Sequence, residues 1–436
     1  MTAQPASEPR SAARWDRLLL LVPPALVLLV AALTPTSSLF PDQGDVRLYL
    51  QKAQAVWSGA VPYRDVPFEY PPAALIPMVV PFAAGLSQNL GLDGYKVLFA
   101  GWEALLLLGL GFVLARIAGF IGHDQRAVGL RLIVLTIGAL LAITWRFDLF
   151  PALLVAIAVW AALERRVALV GAALGLGFLA KLYPIAVLPA LAIPWLIPFD
   201  LGRLARLAAS FGLTVAIGLL PFVALAGSDA FAFLDYHAGR GLQIESIGGG
   251  VAILAGLMSG EAPALSFGFS AVQVEGTLAQ SMLGILPVLT VLGFGLLAWL
   301  GWRRVPAEAD EAMVAGSAEP GVRHGTLVTL ALASLLVLLV TSKVFSIQYA
   351  VWIVPFVALL RGWQFWLGAA IVALTMPIHP VLYSDLVKQQ ALPILVLNLR
   401  NGLVLVLLVL VLRDLARSVA RPAGLEPSEQ VTHAAV

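Results

Sequence analysis

The sequence predicts an all-α integral membrane protein, a polytopic bundle of about 12 transmembrane helices. Three observations lead there. Hydrophobic residues make up 60% of the 436 and charged residues only 12%, against roughly 25% charged in a soluble domain. A mean hydropathy of +0.92 leaves too little polar surface to cover one globular core. Apolar stretches of about 20 residues recur along the chain, each long enough to cross ~30 Å of hydrocarbon.

The elements follow in order. The first apolar segment, 18–33, comes after Arg10, Arg14 and Arg17. No small-residue cleavage site follows it and more spans do, so it reads as a retained anchor behind a cytoplasmic N-terminus, 1–17. Further spans are expected near 97–119, 130–146, 148–163, 167–182, 184–199, 208–227, 281–301, 326–343, 347–361, 363–380 and 393–412. Together they define an integral-membrane domain over 18–412. Twelve crossings place both termini in the cytoplasm. On that side fall 17 of the 27 basic residues, every one an arginine, while all five lysines fall on the other, as the positive-inside bias requires. The localisation expected is the cell membrane, with the active site facing the extracytoplasmic side.

Between the spans, 37–96 reads as a long outer loop that dips back onto the membrane. Its apolar core of about 14 residues, broken by Pro77 and Pro81, is short for a crossing. A second outer loop covers 228–280. The acidic stretch 305–325 reads as a cytoplasmic linker and 413–436 as a cytoplasmic tail, disordered from 422.

Residues 45–58 form an amphipathic pattern: Val46, Tyr49, Leu50, Ala53, Val56 and Trp57 share one face. Such a helix lies in the interface. Asp45 stands at its start as an N-cap, where free N–H groups and the helix dipole favour an ionised carboxylate. Asp42, Asp65 and Glu69 are the competing carboxylates. Lys181 and Lys343 each end a span beside a tyrosine. Lysine at that depth either snorkels or meets an anion. Arg146 and Asp148 read as a polar turn between two spans. The loop from Asp235 to Ser246 packs His237, Arg240, Gln243 and Glu245 together.

Several classes drop out. The net charge of +2 and the lack of a basic stripe with aromatics argue against nucleic acid. With zero cysteines there are no disulfides or thiolate chemistry. The five dispersed histidines lack metal-ligand spacing, and neither a P-loop nor a dinucleotide glycine pattern occurs. No cofactor or metal is expected. An enzyme working outside the cytoplasm must then use a lipid-activated substrate.

Seven elements in order carry a resemblance: Asp45-x-x-x-Tyr49 with Gly59-x-x-Pro62-Tyr63 and Tyr70-Pro71-Pro72; Phe147-Asp148-x-x-Pro151; Lys181-x-Tyr183-Pro184; Arg240 to Ser246; and Lys343-Val344-Phe345-Ser346-x-Gln348-Tyr349. Over roughly 40–400 the chain resembles the GT-C class of membrane glycosyltransferases, in particular the polyprenol-phosphate-mannose-dependent alpha-mannosyltransferases of glycosyltransferase family 87. The resemblance implies a polyprenyl-phosphate sugar as donor and a lipid or glycan as acceptor. It implies transfer of a hexose, mannose first among them, with inversion, and Asp45 as the base. Lys181, Arg240 and Lys343 become the cations facing the lipid phosphate. Gln243, Glu245 and Gln348 would orient sugar or phosphate oxygens, and Tyr49, Tyr63, Glu69, Asp148, Tyr183 and His237 complete the substrate-binding set. Ile347 stands where the family pattern leads one to expect proline. A monomer surrounded by membrane lipids is expected. The rival class is a secondary transporter or flippase for a lipid or small anionic solute. Its polar groups would sit near mid-membrane on broken helices, in two similar halves.

Overall fold

The computed structural model describes residues 18–33, 44–85, 91–197, 199–314 and 324–417. Helices dominate it. Among the described residues, four helical stretches are long and apolar enough to cross a bilayer: Leu92–Phe120, Leu201–Gly239, Thr277–Val305 and Ala391–Arg417. Each of the other apolar segments is also helical, in shorter pieces. The membrane-embedded, helical class is therefore the observed one.

In chain order, α1 is Val22–Leu33, α2 Gly44–Trp57, α3 Leu75–Ala84, α4 Leu92–Phe120, α5 Gln125–Gly138, α6 Leu140–Trp145, α7 Leu149–Leu163, α8 Val167–Ala180, α9 Leu188–Leu196 and α10 Leu201–Ala226. The second half comprises α11 Ala232–Gly239, α12 Ile247–Ser259, α13 Thr277–Val314, α14 His324–Thr341, α15 Ala350–Val357, α16 Gly362–Ile378, α17 Tyr383–Val387 and α18 Ala391–Arg417. Side-chain caps mark several starts. Asp124 accepts from the N–H groups of Arg126 and Ala127, Asp200 from Arg203, and Ser246 from Gly249, each satisfying donors that have no partner inside the helix.

One helix pair shows how closely this bundle packs. A Cβ on Gly171 of α8 would sit 2.0 Å from Ser210 Oγ and 2.5 Å from the Leu207 carbonyl of α10. One turn later, a Cβ on Gly175 would lie 2.9 Å from the Phe211 carbonyl. This is the small-xxx-small seam by which helices in lipid bring their backbones together.

Four sequence expectations change. The region 228–280, expected as a long outer loop, carries regular structure: α11, α12 and a small antiparallel sheet. Its strands are β1 Leu242–Gln243, β2 Leu265–Gly268 and β3 Ala271–Val274, in the order β1-β3-β2. Asp45 lies within the first turn of α2, not at its cap, since the helix begins at Gly44. Trp57 ends that helix exposed, while Val46, Tyr49, Leu50 and Ala53 are buried. The stretch expected as a linker begins as helix, with α13 running on to Val314.

Candidate functional site

Broken helix ends bring the polar residues together. Trp145 ends α6, and buried Trp145 and Phe147 hold the turn that separates it from α7. That turn presents Arg146 and Asp148. Arg146 Nε meets Asp45 Oδ2 at 2.9 Å, so the first-turn carboxylate of α2 faces a guanidinium. The Asp45 side chain keeps about a third of its surface, at 34%.

Two residues on, Asp148 is buried, and its Oδ1 accepts from Lys181 Nζ at 2.6 Å and from Trp352 Nε1 at 2.7 Å. Lys181 follows α8 in extended backbone, which turns its side chain away from the helix axis. Four rings surround the ammonium, with centroids at 5.1 Å (Phe147), 5.5 Å (Tyr349), 5.8 Å (Trp352) and 5.9 Å (Tyr70). A carboxylate and ring faces together make a buried ammonium tolerable. Trp352 is itself clamped between Tyr183 at 4.0 Å and Tyr349 at 3.8 Å, both stacked.

The segment 240–246 forms the opposite wall. Gln243 donates from Nε2 to Glu245 Oε2 (2.7 Å) and to Ser346 Oγ (2.9 Å), while its Oε1 accepts from the Phe345 N–H at 2.9 Å. Gln243 is thereby fully engaged as a brace between two chain segments. Burial pushes the Glu245 carboxyl up to about 7, against the opposing pull of Arg400, Arg146, Arg240 and the Gln243 bond. Arg400, buried in α18, donates to the Glu245 carbonyl at 2.7 Å and lies 3.8 Å over the Phe345 ring. Lys343 Nζ donates to the Ala238 carbonyl at 2.8 Å. Arg240 lies within electrostatic reach of Lys181, His237, Lys343 and Glu245.

The remaining expected residues divide. His237 sits in α11 within electrostatic reach of Arg240, Lys181 and Lys343, its ring edge-on to Tyr236. Gln348 is half-buried in the 3₁₀ turn Ile347–Tyr349. Glu69 pairs with Lys52 at 3.9 Å, and burial raises its carboxyl above the ordinary range. Three tyrosines have packing roles. Tyr49 is buried between Phe99 and Phe147, and Tyr183 stacks on Trp352. Tyr63 donates to the Tyr70 carbonyl at 2.7 Å and packs against Phe68, Phe222 and Phe233. Asp65 is engaged by Arg64 and the Val61 N–H, while Asp42 lies outside the described residues.

Sequence reasoning passed over Arg400 and Trp352, named Tyr70 only within the Tyr70-Pro71-Pro72 element, and treated Arg146 as a turn residue only. One signal was present: Arg400 is a charge in the middle of an apolar span, itself a pointer to a polar partner. Glu103, buried in the middle of α4, carries the same signal and was also overlooked. No family model and no curated protein matches the chain.

Proposed function

We propose that the protein is a membrane glycosyltransferase. It moves a hexose, with mannose the first candidate, from a polyprenyl-phosphate sugar to a lipid or glycan acceptor on the extracytoplasmic face. The observation that carries this reading is the grouping of a partly accessible carboxylate, Asp45, with Arg146, Lys181, His237, Arg240 and Lys343 at joined helix ends. A carboxylate beside several cations suits displacement of a phosphate.

Asp45 takes the proton from an acceptor hydroxyl. The freed oxygen attacks the anomeric carbon from the face opposite the phosphate and forms the new glycosidic bond. The bond from that carbon to the phosphate oxygen breaks, its electron pair leaving with polyprenyl phosphate. That phosphate departs as an anion, so it needs cationic stabilisation more than a proton donor. Arg240 and Lys343 are the cations best placed for it. Lys181 already neutralises Asp148 and acts with it to fix the floor of the site. Arg146 orients the Asp45 carboxylate until substrate arrives.

The deciding experiment uses purified protein, a panel of polyprenyl-phosphate sugars and an acceptor lipid extract, with product read by mass spectrometry. One donor sugar transferred with inverted configuration is the expected result. No transfer from any donor, together with solute or lipid flux in reconstituted vesicles, would replace this reading with a transporter.

A further inference from the structure

The wall that carries Arg240 is gripped from behind by the β2–β3 hairpin. Its two-residue turn is Phe269-Ser270, with φ of 52° and 57°. Both lie in the left-handed region, where asparagine and glycine are usual in such a turn. A bulky residue persists there only when its surroundings hold it.

The surroundings are the two flanks of Arg240. On the N-terminal flank, Tyr236 donates from its hydroxyl to the Phe269 carbonyl at 2.8 Å, and the two rings meet edge-on at 5.3 Å. The Phe269 ring also presses on Gly239, where a Cβ would lie 2.8 Å from Cζ. On the C-terminal flank, the Gly241 N–H donates to Gln273 Oε1 at 3.0 Å, and Gln273 Nε2 donates to the Gly268 carbonyl at 2.9 Å. Beyond it, Ile244 donates to the Val272 carbonyl at 3.0 Å. Arg240 thus projects from a short bridge fastened at both ends to one hairpin. Tyr236, part of that fastening, also carries the Arg240 guanidinium 5.9 Å over its ring.

We infer that Gln273 and Phe269 are positioning residues for Arg240, and that the hairpin sets how that guanidinium meets the anionic phosphate of the lipid substrate. This rests on the proposed reading of Arg240 as a phosphate ligand. Neither residue touches substrate; both act through the bridge 239–241.

The test measures binding of farnesyl phosphate to the purified full chain by intrinsic fluorescence, with thermal unfolding as the control for folding. Gln273→Ala, which takes away the acceptor of the Gly241 N–H, is expected to weaken binding about fivefold, the scale of one lost hydrogen bond. Phe269→Leu, made separately, removes the ring packed on Tyr236 and Gly239 and is expected to weaken it by a similar factor. The same changes made in an Arg240→Ala background are expected to weaken it no further. If Arg240→Ala weakens binding but neither hairpin variant does, the positioning role is wrong and the phosphate reading stands. Equal losses from the hairpin changes in both backgrounds would also overturn it, since they would then act through the fold and not through Arg240. If Arg240→Ala itself binds farnesyl phosphate normally, both ideas fall.

Discussion

Lys181 and Asp148 meet at 2.6 Å although they stand 33 positions apart with two whole helices between them, and both side chains are buried. The pair closes the joint between the start of α7 and the end of α8. Removing one partner strands the other charge in a low-dielectric site, at a cost of about 3–5 kcal/mol. Lys181→Met is expected to lose that much stability, read as thermal unfolding in detergent by tryptophan fluorescence. Lys181→Met combined with Asp148→Asn should recover more than half of the loss. Additive losses would show that the two residues stabilise the fold independently.

Asp45→Asn keeps the size of the side chain and removes its basicity. Transfer should fall by about 10²–10⁴, the usual contribution of a positioned base, with some loss of stability because buried Arg146 loses its charged partner. Arg146→Lys should retain part of the activity and Arg146→Ala much less. An Asp45→Asn enzyme with full activity would move the base elsewhere.

Glu245 links stability to pH. Its carboxyl is raised in the folded chain to about 7 from the ordinary 4.5. The contribution it makes is therefore fully present below about pH 4.5 and is lost as pH rises through 7. Glu245→Gln should remove that dependence, so the variant gains on the wild type between about pH 5 and pH 8, by up to roughly 3 kcal/mol. Parallel unfolding curves across that range would contradict the assignment.

The α8–α10 seam supplies a control remote from the charged groups. Gly171→Val would drive a side chain into the Leu207 carbonyl and Ser210, and backbone cannot yield as a flexible side chain can. Overpacking of this kind costs about 1–3 kcal/mol or more. Gly212→Ala, on the same pair of helices but with open space at its Cβ, should be silent. A comparable loss from both would show that the seam is not the tight contact.

The class of the protein was legible because hydropathy and helix length report directly on the bilayer. The twelve apolar segments each coincide with helix, and the buried face of α2 followed from its spacing. The sheet was not legible. Leu242-Gln243 is two residues long and pairs with a strand some thirty positions later, too short for any alternating pattern to register. At the site, residue types were readable but pairings were not. Asp148 and Lys181 both stood out in the sequence, yet nothing in their spacing says that they neutralise each other. Lys181 looked like an available cation for that reason. Trp352 was invisible because an aromatic in an apolar run carries no local sign that it faces a charge.

Arg64 donates to the Leu225 carbonyl at the end of α10, 161 residues further along, beside the Tyr63 ring lodged against Phe222 and Phe233. That latch has a consequence for biogenesis. At roughly 5–20 residues per second, the ribosome takes on the order of ten to thirty seconds to go from one half of it to the other. Through that interval the segment bearing Tyr63 and Arg64 has left the ribosome without the surface that will fasten it. The turn after the candidate base's helix is thus made early and secured late, and a nascent chain halted before α10 emerges would expose the segment around Tyr63 and Arg64 to protease.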